Sequence, residues 1–242
     1  MSKIDPLTFP DLITISNASV GFLAITYIID NRLWLASILI ILCVFLDGLD
    51  GYLARYLDVE HELGAYLDFF SDIISFCFAP ALILYQTFYD EGLGRGWESP
   101  QNALATFIPL MIVFLGTLRL ARFVNETSDE ARFYGLPTPA LALVIIHLSY
   151  LFGWGDIWAY SPYITLAVIG IIASLLYTDI RYPKPRGRPY IIIGGLLLAL
   201  SVVGFLSDLI SHAYCRYILS ITISFILGYI FISPIIVKIY GK

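Results

Sequence analysis

The chain has 242 residues, of which 59% are hydrophobic and only 14% charged, with a formal net charge of −5. A mean hydropathy of +0.82 excludes a soluble domain, because no soluble domain of this size carries so much apolar surface, and assigns the chain to polytopic membrane proteins. Cys43, Cys77 and Cys215 are scattered in or near apolar segments and form no CxxC, which excludes a disulfide framework and leaves them as small buried residues.

The N-terminus, MSKIDPLTFPD, is short and polar, and the first apolar stretch lacks a small-residue cleavage site. No cleavable signal peptide is therefore expected. Eight apolar spans follow, at approximately 12–29, 33–57, 63–89, 103–122, 138–154, 161–178, 190–207 and 214–237. Each is about the length that crosses a bilayer, and no strand-period alternation competes with them. The expected fold is an all-α polytopic membrane helix bundle of about eight transmembrane helices, a single domain over 1–242. Span one carries Asn17, a buried amide. Span two ends in Asp47 and Asp50, and span three begins with Asp68 and Asp72. Arg119 and Arg122 close span four, and Pro137 and Pro139 open span five as helix-start prolines. The loop TDIRYPKPRGRPY at 178–190 is basic and proline-rich. It suits a cytoplasmic anchor, or an attraction for anionic lipid head groups or for a nucleotide.

Basic residues set the orientation. With eight spans, both termini and the loops after spans two, four and six share one side. That side collects Lys3, Arg55, Arg119, Arg122, Arg132, Arg181, Lys184, Arg186, Arg188, Lys238 and Lys242, eleven in all, against Arg32, Arg95 and Arg216 opposite. Both termini are expected to be cytoplasmic, in a prokaryotic cell membrane, with the aspartates near the cytoplasmic mouth.

Those aspartates carry the chemistry. Asp47, Asp50, Asp68 and Asp72 fall within 26 residues of apolar sequence. A carboxylate inside a membrane is costly unless something compensates it. Asp47 and Asp50 are three apart and Asp68 and Asp72 four apart, so each pair shares a helix face. A short connection makes the two helices antiparallel and brings the pairs into one pocket. Four carboxylates supply oxygen for one or two hard divalent ions, Mg²⁺ or Mn²⁺, with room for substrate phosphates. No His or Cys stands at ligand spacing, which argues against zinc. Gly51 and Gly64 allow close backbone approach, Ala54 is small, and Arg55 adds a fixed positive charge. Such a set can accept a diphosphate. Any one of these aspartates reads equally well as a solvated helix-end group; the complete spacing does not.

The pattern D-x2-D-G-x2-A-R-x8-G-x3-D-x3-D is met by Asp47, Asp50, Gly51, Ala54, Arg55, Gly64, Asp68 and Asp72. It resembles the signature of the CDP-alcohol phosphotransferases, membrane enzymes that move a substituted phosphate from a CDP-linked donor to an alcohol and release CMP. The resemblance implies that Asp47, Asp50, Asp68 and Asp72 ligate metal, and that Asp72 is also the general base on the acceptor hydroxyl. It implies that Gly51, Ala54, Arg55 and Gly64 line the CDP-lipid site, where Asn17 is placed with them, equally suited to an interhelical hydrogen bond. A homodimer is implied as well.

SDIISFCFAPAL (71–82), LRLARFVNE (118–126), FYGLPTPALA (133–142) and IRYPKPRGR (180–188) look like the phosphatidylserine synthase branch of that family. The branch has glycine where Cys77 stands, and the asparagine expected after Phe123 is displaced to Asn125. The resemblance covers roughly 12–190, with the motif at 47–72, and leaves 190–238 as two additional helices. It implies a CDP-diacylglycerol-type lipid as donor, L-serine as acceptor and CMP as product, with membrane lipids as surroundings and no nucleic acid partner. Arg119 and Arg122 are candidates for the serine carboxylate or a donor phosphate, and Asn125 for the ammonium. Glycerol phosphate or inositol phosphate is the alternative acceptor. A cation or solute transporter is the rival from another class. It is opposed by carboxylates gathered at one mouth and by the lack of an inverted repeat.

Overall fold

The computed structural model describes residues 7–59, 61–94, 96–125, 132–154, 162–183 and 188–240. Lys3, Arg95, Glu126, Asp156, Trp158, Lys184, Arg186 and Lys242 lie outside them, as do the side chains of Asn125, Arg132 and Arg188. The helices are α1 (Phe9–Ile29), α2 (Leu33–Leu57), α3 (Glu62–Asp72), α4 (Ala79–Phe88), α5 (Pro100–Asn125), α6 (Thr138–Ser149), α7 (Pro162–Ser174), α8 (Arg188–Ser207) and α9 (His212–Tyr240). Five helical segments are long and apolar enough to cross a membrane: Phe9–Ile29, Leu33–Leu57, Glu62–Phe88, Pro100–Val124 and His212–Lys238. Thr138–Gly153, Pro162–Tyr177 and Ile192–Ser207 are shorter apolar helices. All eight expected spans are thus helical, and the molecule is an all-α membrane bundle.

Helix α1 shows how such a bundle chooses its inner face. It is apolar all round, so amphipathicity cannot orient it. Its buried residues are Pro10, Asp11, Thr14, Asn17, Gly21, Ala24 and Ile28, which recur every three or four positions and are mostly small or polar. In lipid, helices associate through close packing and hydrogen bonds, not by hiding hydrocarbon. Gly21 illustrates the closeness: a Cβ there would fall 2.3 Å from Ser75 Oγ.

The α2–α3 turn decides the geometry of the site. Asp58 takes the left-handed conformation (φ 52°) just past α2. Val59 N–H donates to Ala54 C=O at 3.1 Å and Asp58 N–H to Arg55 C=O at 3.4 Å, the paired bonds that end a helix sharply. Aspartate tolerates this conformation better than most residues. His61 then caps α3, its Nδ1 accepting from Gly64 N–H at 3.1 Å. That bond fixes the remaining ring proton on Nε2, which donates to Asp11 Oδ2 at 3.0 Å. Asp11 Oδ2 also accepts from Thr8 N–H and Oγ1. The connector is clasped to the start of α1.

Helix α3 runs into α4 through a π-helical segment, Ile73–Phe78, that begins one residue after Asp72. Wide turns of this kind concentrate at functional sites. Pro80, which lacks an N–H, follows directly in the first turn of α4.

One feature departs from the sequence reading. Two three-residue strands, β1 (Arg132–Tyr134) and β2 (Arg181–Pro183), pair antiparallel with Phe133 opposite Tyr182. Three residues are too few to show an alternation. The pairing joins the loops after α5 and α7, so these loops lie on one side of the bundle. Gly135 follows β1 at φ 75°, and a Cβ there would fall 2.1 Å from Leu176 C=O. Gly135→Ala is expected to cost about 1–2 kcal/mol from the left-handed backbone alone, and more from the clash with a main-chain oxygen. A lowered thermal midpoint in detergent checks this.

Candidate active site

Helix geometry predicts the heights of the four aspartates. Asp50 lies seven residues before the end of α2 and Asp68 six after the start of α3, roughly 10 and 9 Å from the connector at 1.5 Å per residue. Asp47 and Asp72 are each ten residues away, or roughly 15 Å. The antiparallel pair thus stacks two tiers, Asp50 with Asp68 above Asp47 with Asp72. Asp47, Asp50 and Asp68 each present one carboxylate oxygen, all within 4.8 Å of one another, and Asp72 is an electrostatic neighbour of Asp47 and Asp68.

Hydrogen bonds from α1 hold the arrangement. Thr14 Oγ1 donates to Asp50 Oδ2 at 2.7 Å. Ser71 Oγ donates to Thr14 C=O at 3.1 Å and Ser75 Oγ to Asn17 C=O at 3.2 Å, binding α3 and the π segment to α1. Asp50 and Asp72 are buried. Asp72 Oδ1 is buried without a hydrogen-bond partner, and so are both amide atoms of Asn17. Orphaned buried polar atoms of this sort call for an explanation such as an ion or a ligand.

The cationic residues divide. Arg119 is 7% exposed, donates from Nη1 to Thr138 Oγ1 at 3.1 Å and lies in electrostatic range of Asp47, Asp68 and Asp72. Arg55 is exposed; it acts electrostatically on Asp50 and folds over Gly51, where a Cβ would sit 3.3 Å from Arg55 Nη1. Arg122 turns elsewhere, bonding Asp179 Oδ1 at 3.0 Å and lying over the Tyr134 ring at 5.3 Å. Gly64 faces Asp11, whose Oδ1 would lie 3.0 Å from its Cβ, and Ala54 lies on α2 between Asp50 and the turn. Asn125 is the last residue of α5, with its side chain outside the described residues.

Cys77 and Gly116 fit each other: a Cβ at 116 would fall 2.5 Å from Cys77 Sγ. Gly116→Ala is expected to cost about 1–3 kcal/mol by overpacking. Adding Cys77→Ala is expected to recover part of the lost thermal midpoint, because the sulfur is the obstructing atom.

The CDP-alcohol phosphatidyltransferase family model matches residues 7–178, well over half of the chain. The chain belongs to this family. Archaetidylserine synthase of Methanothermobacter thermautotrophicus is 35% identical over 184 residues, covering 75% of this chain and 72% of its own. The CDP-diacylglycerol–serine O-phosphatidyltransferase of Methanocaldococcus jannaschii is 33% identical over 199 residues, covering 82% and 85%. The enzyme of that name from Helicobacter pylori is 33% identical over 189 residues, covering 75% and 74%. The family is divalent-metal-dependent, and the chain carries an aspartate cluster that can bind a metal. The donor set fits: an all-oxygen shell suits a hard cation, and four carboxylates in an apolar bundle outnumber the nearby guanidinium groups.

Sequence reasoning missed Thr14 and Thr138, which orient Asp50 and Arg119. Thr14 had a signal, standing three residues before Asn17 on the small-and-polar face of α1. Thr138 had none beyond its place between Pro137 and Pro139.

Proposed function

We propose that this protein transfers the phosphatidyl group of CDP-diacylglycerol, or of its ether-linked analogue, to the hydroxyl of L-serine and releases CMP. The observation that carries the reaction class is the two-tier carboxylate cluster. The names of the relatives support serine as the acceptor.

Asp47, Asp50, Asp68 and Asp72 would hold the metal, Mg²⁺ or Mn²⁺ and two ions in this reading, which supplies charge neutralisation for the donor diphosphate when bound. Asp72 takes the serine hydroxyl proton as that oxygen bonds to the lipid-bearing phosphorus. The bond from that phosphorus to the CMP oxygen breaks, and CMP leaves with the electron pair. Gly51, Ala54, Arg55, Gly64 and Asn17 line the CDP-lipid side. Arg119 receives the serine carboxylate, with Arg122 and Asn125 at the margin. A cavity of about 410 Å³ between α1 and α3, lined by Thr14, Ala18, Phe22, Leu67, Phe70 and Ile74, gives the donor chains a path outward, since Phe22 and Phe70 are exposed. Residues 12–190 form the catalytic core and 190–238 an addition. The protein acts as a homodimer in a prokaryotic cell membrane, with both termini and the site facing the cytoplasm.

The test is incubation of purified protein with CDP-linked donor, a divalent salt and each acceptor in turn, with CMP and the lipid product identified by mass. A serine lipid supports the reading. A glycerol phosphate or inositol phosphate lipid in its place overturns the acceptor, and no CMP with any acceptor overturns the reaction class.

A further inference from the structure

Helix α3 is short, 11 residues from Glu62 to Asp72, or about 16 Å at 1.5 Å per residue. A helix of that length is marginal alone, so its place is set by what ties down its two ends. Both ends are tied to α1. At the far end Ser71 Oγ donates to Thr14 C=O at 3.1 Å, and just beyond it Ser75 Oγ donates to Asn17 C=O at 3.2 Å. At the near end the tie is His61. Its Nε2 donates to Asp11 Oδ2 at 3.0 Å while its Nδ1 accepts from Gly64 N–H at 3.1 Å. The side chains of His61 and Asp11 are 16% and 5% exposed, so water competes little for this bond, unlike an ordinary surface pair. Asp11, Thr14 and Asn17 stand three apart on the buried face of α1. The same face holds α2, through Thr14 Oγ1 donating to Asp50 Oδ2 at 2.7 Å and Cys43 Sγ donating to Asn17 C=O at 3.6 Å. Helix α1 is the bar against which both carboxylate-bearing helices are set.

We propose that His61 and Asp11 are positioning residues for the metal: their bond fixes the start of α3 against α1 and so holds Asp68 where its oxygen converges with those of Asp47 and Asp50. Asp68 lies six residues after Glu62, between the two ties, whereas Asp72 adjoins Ser71 and stays with the far one. Neither His61 nor Asp11 belongs to the group of converging oxygens, which is Asp47, Asp50 and Asp68, so their effect passes through geometry. Without the near tie, α3 samples arrangements in which Asp68 is drawn back. The apparent affinity for the ion then falls in proportion to the fraction of molecules still in the competent arrangement.

This rests on the carboxylates binding a divalent ion, as proposed above. Mn²⁺ titration of the purified full-length protein, without substrates, tests both claims. Two substitutions divide the roles of His61, because asparagine places Oδ1 where histidine has Nδ1, and glutamine places its amide near Nε2. His61→Asn keeps the cap on α3, a position that asparagine favours, and loses the reach to Asp11. His61→Gln keeps the reach and loses the cap. The expected result is a rise of about five- to tenfold in the Mn²⁺ Kd of His61→Asn, with His61→Gln within about twofold of wild type. Thermal midpoints fall in both, so a merely structural role would weaken Mn²⁺ binding in both. In an Asp11→Ala background His61→Asn adds nothing further, as it must when the two act through one bond. An unchanged Kd in His61→Asn, a loss in His61→Gln as large as that in His61→Asn, additivity with Asp11→Ala, or failure of His61→Asn to fold overturns the proposal. Wild-type protein that binds no Mn²⁺ overturns the metal assignment, and this inference with it. Mn²⁺ binding that is lost in Asp68→Ala yet intact in His61→Asn overturns this inference alone.

Discussion

Asp72→Asn is expected to lower kcat by about 10²–10⁴-fold, the range that a positioned acid–base group contributes. Asparagine has nearly the same shape, so packing around this buried position is kept. What is lost is a basic oxygen, and Asp72 Oδ1 is the one in the cluster that is buried without a hydrogen-bond partner. Donor binding should survive in part, because Asp47, Asp50 and Asp68 still converge. Single-turnover measurement of CMP release, paired with equilibrium binding of the donor, separates the two. Near-normal turnover in Asp72→Asn would falsify the general-base role.

Asp47→Ala and Asp68→Ala are expected to abolish metal and donor binding together. Each removes one of three oxygens that lie within 4.8 Å of one another, and each also removes a carboxylate neighbour of Asp72. A diphosphate carries its charge into this apolar bundle only where cations await it, so loss of the ion and loss of the donor coincide. Calorimetric titration with Mn²⁺, then with donor, checks both. Retained Mn²⁺ binding in either variant assigns the ion to other ligands. Adding a chelator to wild type should reproduce the donor-binding loss, and excess Mg²⁺ or Mn²⁺ should reverse it.

The tiers were readable in the sequence because helices convert spacing into position. Once 47–57 and 62–72 are helical with a short turn between them, equal distances from the turn put Asp47 beside Asp72 and Asp50 beside Asp68. The spans were readable for a similar reason, since hydropathy reports the solvent and not the fold. Less local features were not. Arg119 and Arg122 are three apart on one helix, and only the tertiary structure sends the first to the aspartates and the second to Asp179 and Tyr134. His61 reads as a surface-loop residue until Asp11, fifty positions earlier, closes on it. The β1–β2 pair joins segments nearly fifty residues apart, with too few residues in each to leave a pattern.

The cavity between α1 and α3 bears on the energetics of supply. It has Thr14, a partner of Asp50, among its lining residues, and exposed Phe22 and Phe70 as well. In the proposed reaction a donor lipid docked there would slide in sideways from the leaflet, and none of its methylenes would enter water. Extraction would cost about 0.8 kcal/mol for each one, so a twofold-chained lipid could never be delivered by way of the aqueous phase on a catalytic timescale. A serine acceptor would meet the opposite constraint and descend from solution. The two proposed reactants would thus come together at the depth of the carboxylates, each without leaving the medium in which it dissolves.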